Sequence, residues 1–326
     1  MRDRTLDGRY RRRVSDTEYG APAPCELLEH REVPLGGPRA MPVRRSLPGR
    51  DRHLVGAWCF ADTYGPLGAG ASPGMRVPPH PHTGLHTVSW LLGGEILHRD
   101  SLGTTCRVRP GELNLMTAGH GISHSEYSTG AQASGLHGAQ LWIVQPEAER
   151  DGPPCFEHHG TLPSFTRPGA TVTVLLGALD GVVSPARTAT ELVGAELDLA
   201  AGTRLRLPLR RDFEHAVLAL DKPVTAEGHE IPTGSMLYLP PERETLTVHT
   251  ADGNRALLIG GVPFEERFVM WWNFLARDHG GIATAREDWE SGGTRFGTVP
   301  AQDAGLSAPP LPGVRLRSRG RRRAQP

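Results

Sequence analysis

The chain has 326 residues, 38% hydrophobic and 22% charged, and its 40 Gly and 29 Pro exclude an architecture of long helices and favour short strands joined by turns. Its 36 basic and 36 acidic residues cancel, which excludes a global field steering it to nucleic acid or an anionic membrane. Cys25, Cys59, Cys106 and Cys155 lie far apart with no C-x-x-C pair, and no apolar run approaches the roughly 18 residues of a membrane span, so a zinc knuckle, a redox dithiol and an anchor are excluded and a cytoplasmic chain with reduced thiols is expected.

At this length the chain exceeds one ordinary core, and two domains are expected. Residues 1–24 mix Arg and Asp without periodicity and read as disordered. From there the pattern is mostly of period two. In 85–92, His86, Val88, Trp90 and Leu92 share one face and Leu85, Thr87, Ser89 and Leu91 the other. Similar runs follow near 94–98, 104–108, 112–116 and 140–144, and again between 171 and 259, separated by Gly and Pro turns. Many short strands with turn signals mean sandwiches or barrels.

The second half resembles a worn copy of the first: Pro110-Gly111-Glu112-Leu113-Asn114-Leu115-Met116 compares with Pro232-Thr233-Gly234-Ser235-Met236-Leu237-Tyr238. Phe264 to Trp289, with Phe268, Trp271, Trp272 and Leu275 ahead of Ile282, Ala285 and Trp289, has the best helical spacing in the chain. The boundaries expected are a metal-binding barrel over 25–165, a metal-free barrel with the helix over 166–297, and a disordered Arg/Pro-rich tail over 298–326. Within that tail Arg315, Arg317, Arg319, Arg321, Arg322 and Arg323 read as solvated, without a nucleic-acid role.

The segment Pro79-His80-Pro81-His82-Thr83-Gly84 carries the chemistry. Alternate strand residues point to the same side, so His80 and His82 can converge on one ion inside a barrel. About 40 residues later His124-Ser125-Glu126 repeats the two-residue spacing, so a neighbouring strand can close the site from the opposite side. Three imidazoles and a carboxylate suit iron(II), manganese, cobalt, nickel or zinc, and on an octahedral ion they leave two positions open. Strand parity also places His86 on the ligand side, as a hydrogen-bonded pocket residue ahead of a fifth ligand, provided Gly84 introduces no bulge. His98, Arg99 and Asp100 read as a charged turn, His120 and His137 as loop histidines, and Trp90 and Met116 as pocket or core.

The Gly74 to Gly93 spacing is that of the first cupin motif, and the chain resembles the pirins, a branch of the cupin superfamily with two barrels per chain. The matching residues are Pro79-His80-Pro81-His82, His98-Arg99-Asp100-Ser101-Leu102-Gly103, Met116-Thr117-Ala118-Gly119 and His124-Ser125-Glu126, with Phe264 to Met270 and Arg295-Phe296-Gly297 downstream. The resemblance runs from about Val43 to Gly297. It implies an all-β fold of two cupin-type, jelly-roll barrels in tandem with a short C-terminal helix. It also implies one divalent metal per chain, iron(II) first and Mn, Co, Ni, Cu or Zn as substitutes, on His80, His82, His124 and Glu126. His86 departs from the family, which usually carries Glu there.

The activity so implied is a metal-dependent dioxygenase of the quercetin 2,3-dioxygenase type, taking a flavonol or catechol-like aromatic and O2. Glu126 would be both ligand and acceptor of the substrate's hydroxyl proton. The competing expectation is an iron-binding, redox-sensitive regulator acting through a protein partner, and a basic surface patch beside the metal would favour it.

Overall fold

The computed structural model describes residues 23–35, 41–66, 74–129, 135–300 and 303–322. The expectation for residues 1–24 therefore falls almost wholly outside the described residues.

Period-two segments become strands, and these build two barrels in tandem. In the first, a seven-stranded sheet runs in the order Cys155–His159, Leu113–Thr117, Leu85–Gly93, His137–Val144, Trp58–Tyr64, Met41–Leu47, Arg31–Leu35. A four-stranded sheet, Arg76–His82, Ile122–Ser128, Ile96–Asp100, Thr105–Val108, covers it. All pairings are antiparallel, and the step from His124 to Glu126 opposes the longer step from His80 to Val77, which marks a bulge in Arg76–His82. The second barrel pairs an eight-stranded sheet with the sheet Arg204–Pro208, Thr245–His249, Val224–Ala226, His229–Ile231.

The chain does not divide cleanly at the expected boundaries. Glu26–Leu28 leaves the first barrel and adds an edge strand to the second, pairing with Met236–Leu239. One apolar core joins the barrels: Val88, Trp90, Leu113 and Leu115 of the first pack with Ala216, Leu218, Met236 and Leu257 of the second. Its rim is polar. The Trp58 indole N–H donates to the Gly260 carbonyl at 3.1 Å, and the Gly56 N–H to the buried Glu214 carboxylate at 2.8 Å. Gly56 has φ +53°, and a Cβ there would lie 2.8 Å from the Gly261 Cα, so only glycine permits this approach.

Two expectations fail downstream. The helix begins only at His279 and ends at Glu290, capped by the Asp278 carboxylate, which accepts from the Gly281 N–H at 2.9 Å. Residues 269–276 form a hairpin instead, Val269–Trp271 against Phe274–Ala276, with Trp272 turning at φ +53°. Aromatic residues at helical spacing sit equally well on a pleated surface, and spacing alone did not separate the two.

The tail is docked over 303–322 rather than disordered. The Leu306 N–H donates to the Pro79 carbonyl and the Trp289 indole to the Leu306 carbonyl, both at 2.8 Å. Arg319 and Phe268 exchange main-chain bonds at 2.7 and 3.1 Å. Arg321 reaches the buried Glu214 carboxylate at 2.7 Å, and Arg322 reaches Glu26 at 2.7 Å. Main-chain and guanidinium bonds hold this segment, with Leu306 packed on the first barrel and Ala308, Leu311 and Leu316 on the hairpin and helix, at a spacing that follows neither strand nor helix.

Candidate metal centre

Two neighbouring strands of the first barrel present the four expected ligands. Arg76–His82 contributes His80 and His82 on one side of its pleat, and Ile122–Ser128 contributes His124 and Glu126. In the register between these strands His124 stands opposite His80. All four side chains are buried, from 1% exposed for His82 and His124 to 6% for His80 and Glu126. Ring nitrogens of His80, His82 and His124 lie within 4.8 Å of one another. Glu126 forms a second such group with His124 and His98, sharing His124 with the first.

The hydrogen bonds assign protons. The His80 Nδ1 donates to the Pro78 carbonyl at 2.9 Å, and the His82 Nδ1 to the Asn273 carbonyl at 3.1 Å, leaving both Nε2 atoms as lone pairs. Asn273 comes from the unexpected hairpin. Asp100 is fully buried; its Oδ1 takes the Leu102 and Thr104 N–H groups at 2.9 and 3.0 Å. Its Oδ2 accepts from His98 Nε2 at 3.2 Å, so His98 Nδ1 is free to accept from His124 Nδ1 at 3.4 Å. His124 Nε2 is then a third inward lone pair, 3.1 Å from His82 Nε2.

Electrostatics agree. Burial lowers His80 to about 4 and holds His82 and His124 well below the ordinary histidine range, so all three are neutral donors near pH 7. Burial raises the Glu126 carboxyl, against the pull of His98 and the Ser89 hydroxyl. Three converging lone pairs with no proton among them, beside a desolvated carboxyl, are what a single divalent cation requires; the donor set fits one.

Sequence reasoning missed His98 and Asp100. They are 3% and 0% exposed and lie within a strand, not a charged turn. Their alternate spacing, the same cue that found His80 and His82, was available. His86 went the other way. The chain crosses from the four-stranded to the seven-stranded sheet at Thr83 and Gly84 (φ +67°), and this breaks the parity. Ser89, not His86, belongs to the site-facing set, donating to Gln140 at 2.9 Å and lying 3.4 Å from Glu126. His86 shares its face with Val88 and Trp90 and bonds Thr117 Oγ1 through Nδ1 at 2.8 Å. It is hydrogen-bonded as expected, but it does not line the cavity. His120 and His137 bond main-chain carbonyls of Gly152 and Leu220.

A cavity of about 580 Å³ opens onto the histidines. Phe60 and Trp142 stack along its wall at 4.1 Å and 13°, and His82 meets the Trp142 ring edge-on at 5.1 Å. Met270, Trp272 and Leu306 line it as well.

Two family models match: Pirin over residues 40–143 and the Pirin C-terminal cupin domain over 194–297. The chain belongs to the pirin family. A Pseudomonas aeruginosa protein provisionally named quercetin 2,3-dioxygenase is 43% identical over 283 residues, which cover 86% of this chain and 89% of that protein. The crystal structure of a quercetin 2,3-dioxygenase from Acinetobacter baumannii superposes with TM-score 0.85 at 40% identity, over 90% of this chain and 97% of that one. A bacterial pirin from Escherichia coli, solved in complex with nickel(II), shares the fold at TM-score 0.56 and 20% identity, over 73% of this chain and 99% of that one. Among the described residues no helix is long and apolar enough to cross a membrane.

Proposed function

We propose that this pirin is a metal-dependent dioxygenase of the quercetin 2,3-dioxygenase type, working in the cytoplasm, with one divalent ion held by His80, His82, His124 and Glu126. The observation that carries the reading is the convergence of three imidazole lone pairs at the floor of an aromatic-walled cavity large enough for a three-ring molecule. The relatives' names supply the substrate class, a flavonol or related catechol with O2 as co-substrate. Iron(II) is the ion proposed; when bound, it would supply Lewis acidity toward a substrate hydroxyl and redox chemistry with oxygen.

The chain's own residues do the rest. Phe60, Trp142 and Met270 pack a flat ring system and exclude water. Glu126, raised by burial, accepts the hydroxyl proton as the substrate binds. Ser89 orients it, and Gln140 in turn holds the Ser89 hydroxyl at 2.9 Å. The competing regulatory reading looks for a basic patch on the surface beside the metal. Arg31, Arg45 and Arg319 line the mouth of the cavity, with Arg31 and Arg319 exposed, so a basic edge is present beside the site; its place on the rim of an aromatic-walled cavity supports recognition of a small molecule.

The test is oxygen uptake by iron-loaded protein with quercetin, normalised to bound metal, alongside bleaching of the flavonol absorbance. Glu126→Gln is expected to lose roughly 10²–10⁴-fold per bound metal, the usual general-base contribution. Fully metallated protein that leaves quercetin, related catechols and oxygen unchanged would overturn the assignment and favour the regulator.

A further inference from the structure

The seven-stranded sheet carries a polar row with a charge imbalance at the cavity mouth. Register sets Arg31 opposite Arg45, Arg45 opposite Asp62, and Asp62 opposite Gln140. Asp62 is 1% exposed and takes two bonds from Arg45, both at 2.7 Å, so its carboxylate is committed to one guanidinium. Arg31 stands beside this pair, within reach of the Asp62 charge but without a direct bond to it, and its guanidinium donates to the Pro48 carbonyl at 2.9 Å. Arg319, held over the mouth by its main-chain bonds to Phe268, lines the same cavity. Among the described residues no carboxylate pairs with Arg31 or Arg319, and Glu126 is the one acidic residue on the cavity wall.

Like charges directly opposed across two strands repel, and an anion between them relieves the cost. The position is informative as well. Arg45 lies 4.3 Å above the Phe60 ring, Phe60 stacks on Trp142, and Trp142 meets His82. One aromatic wall therefore runs from the guanidinium end to the histidine end, and a single flat molecule can touch both.

We propose that Arg31, Arg45 and Arg319 form an anion subsite at the outer end of the metal cavity, and that the preferred ligand is a planar aromatic acid whose carboxylate docks there. Guanidinium forks match a carboxylate in two parallel bonds. Placement of the ligand's hydroxyls at the histidine end rests on the dioxygenase reading; the binding preference does not.

The experiment compares caffeic acid, a planar catechol with its carboxylate at the far end, with its methyl ester. Both are titrated anaerobically into the metal-loaded full-length protein, read by quenching of tryptophan fluorescence, since Trp142 and Trp272 line the cavity. The acid is expected to bind about tenfold tighter at low salt, the worth of a charge-assisted pair, with the advantage shrinking as salt rises. Arg31→Gln with Arg319→Gln should erase the difference. Arg319→Gln alone, which keeps the main-chain bonds to Phe268, should reduce it if the double variant is unstable. Equal binding of acid and ester would overturn the proposal. So would a preference that survives in the arginine variants, because the carboxylate would then be seeking the metal. Quercetin consumption without any acid preference would defeat the subsite and leave the dioxygenase standing; acid preference without turnover of any catechol would do the reverse.

Discussion

The Nε2 atoms of His82 and His124 face each other at 3.1 Å, and the protons of both rings are committed elsewhere, to the Asn273 carbonyl and to His98. The second commitment depends on Asp100, which fixes the His98 tautomer. His98→Ala and Asp100→Asn are therefore expected to weaken metal binding about 10–100-fold, the usual effect of removing a partner behind a ligating imidazole. Titration with zinc or nickel by calorimetry measures it. Wild-type affinity in both variants would show that the Asp100–His98 pair does not orient His124.

His86 is expected to be dispensable to the metal. It faces the core between the barrels, on the side of the strand opposite to Ser89. His86→Gln, which keeps a hydrogen-bonding group near Thr117, should retain one equivalent of metal. A folded but metal-free variant, judged by circular dichroism and elemental analysis, would return His86 to the ligand set.

Acid should destabilise the fold through its non-ligating buried histidines as well. Burial lowers His86 and His215 to about 4 from 6.5, and each has a buried ring nitrogen without a partner. The unfolded chain takes up these protons first, so their contribution is fully present above about pH 6.5 and is lost as pH falls from there toward 4. Urea midpoints for His215→Asn should fall less steeply across that window than those of the wild type. Identical slopes would show that His215 does not carry the effect.

Much of this architecture is legible in the sequence, and the failures share physical causes. His80, His82 and His124 come together, with Glu126 on the same cavity wall beside His124, because within one strand the period of two is dependable. The same rule misplaces His86, because at Gly84 the chain changes sheets and parity does not survive the crossing. His98 and Asp100 look like turn residues by polarity, and that polarity outweighed the alternate spacing that marks them as one face of a strand beside His124. The hairpin that supplies the Asn273 carbonyl is hidden in an aromatic cluster whose spacing also suits a helix. The tail is held by main-chain bonds and by arginines whose partners lie far away in the sequence, such as Glu214 for Arg321.

That last pair makes its own prediction. Glu214 is fully buried and is met by the Tyr238 hydroxyl, the Gly56 N–H and Arg321, with Arg52 at 3.7 Å. Arg321→Ala leaves the carboxylate one charged partner short. With Arg52 still near and Arg321 partly solvated, a loss of about 1–3 kcal/mol is expected. Removing 306–326 should cost more. Chemical denaturation measures both, and unchanged midpoints would mean that the docked tail contributes nothing to stability.

The most direct test of the metal centre is metal stoichiometry, measured by elemental analysis on protein purified, stripped and reloaded with iron(II) anaerobically. One equivalent per chain is predicted for the wild type, with His80→Ala, His82→Ala and His124→Ala falling close to zero and Glu126→Gln reduced. Two equivalents in the wild type, or undiminished metal in the histidine variants, would contradict a single centre built on these residues.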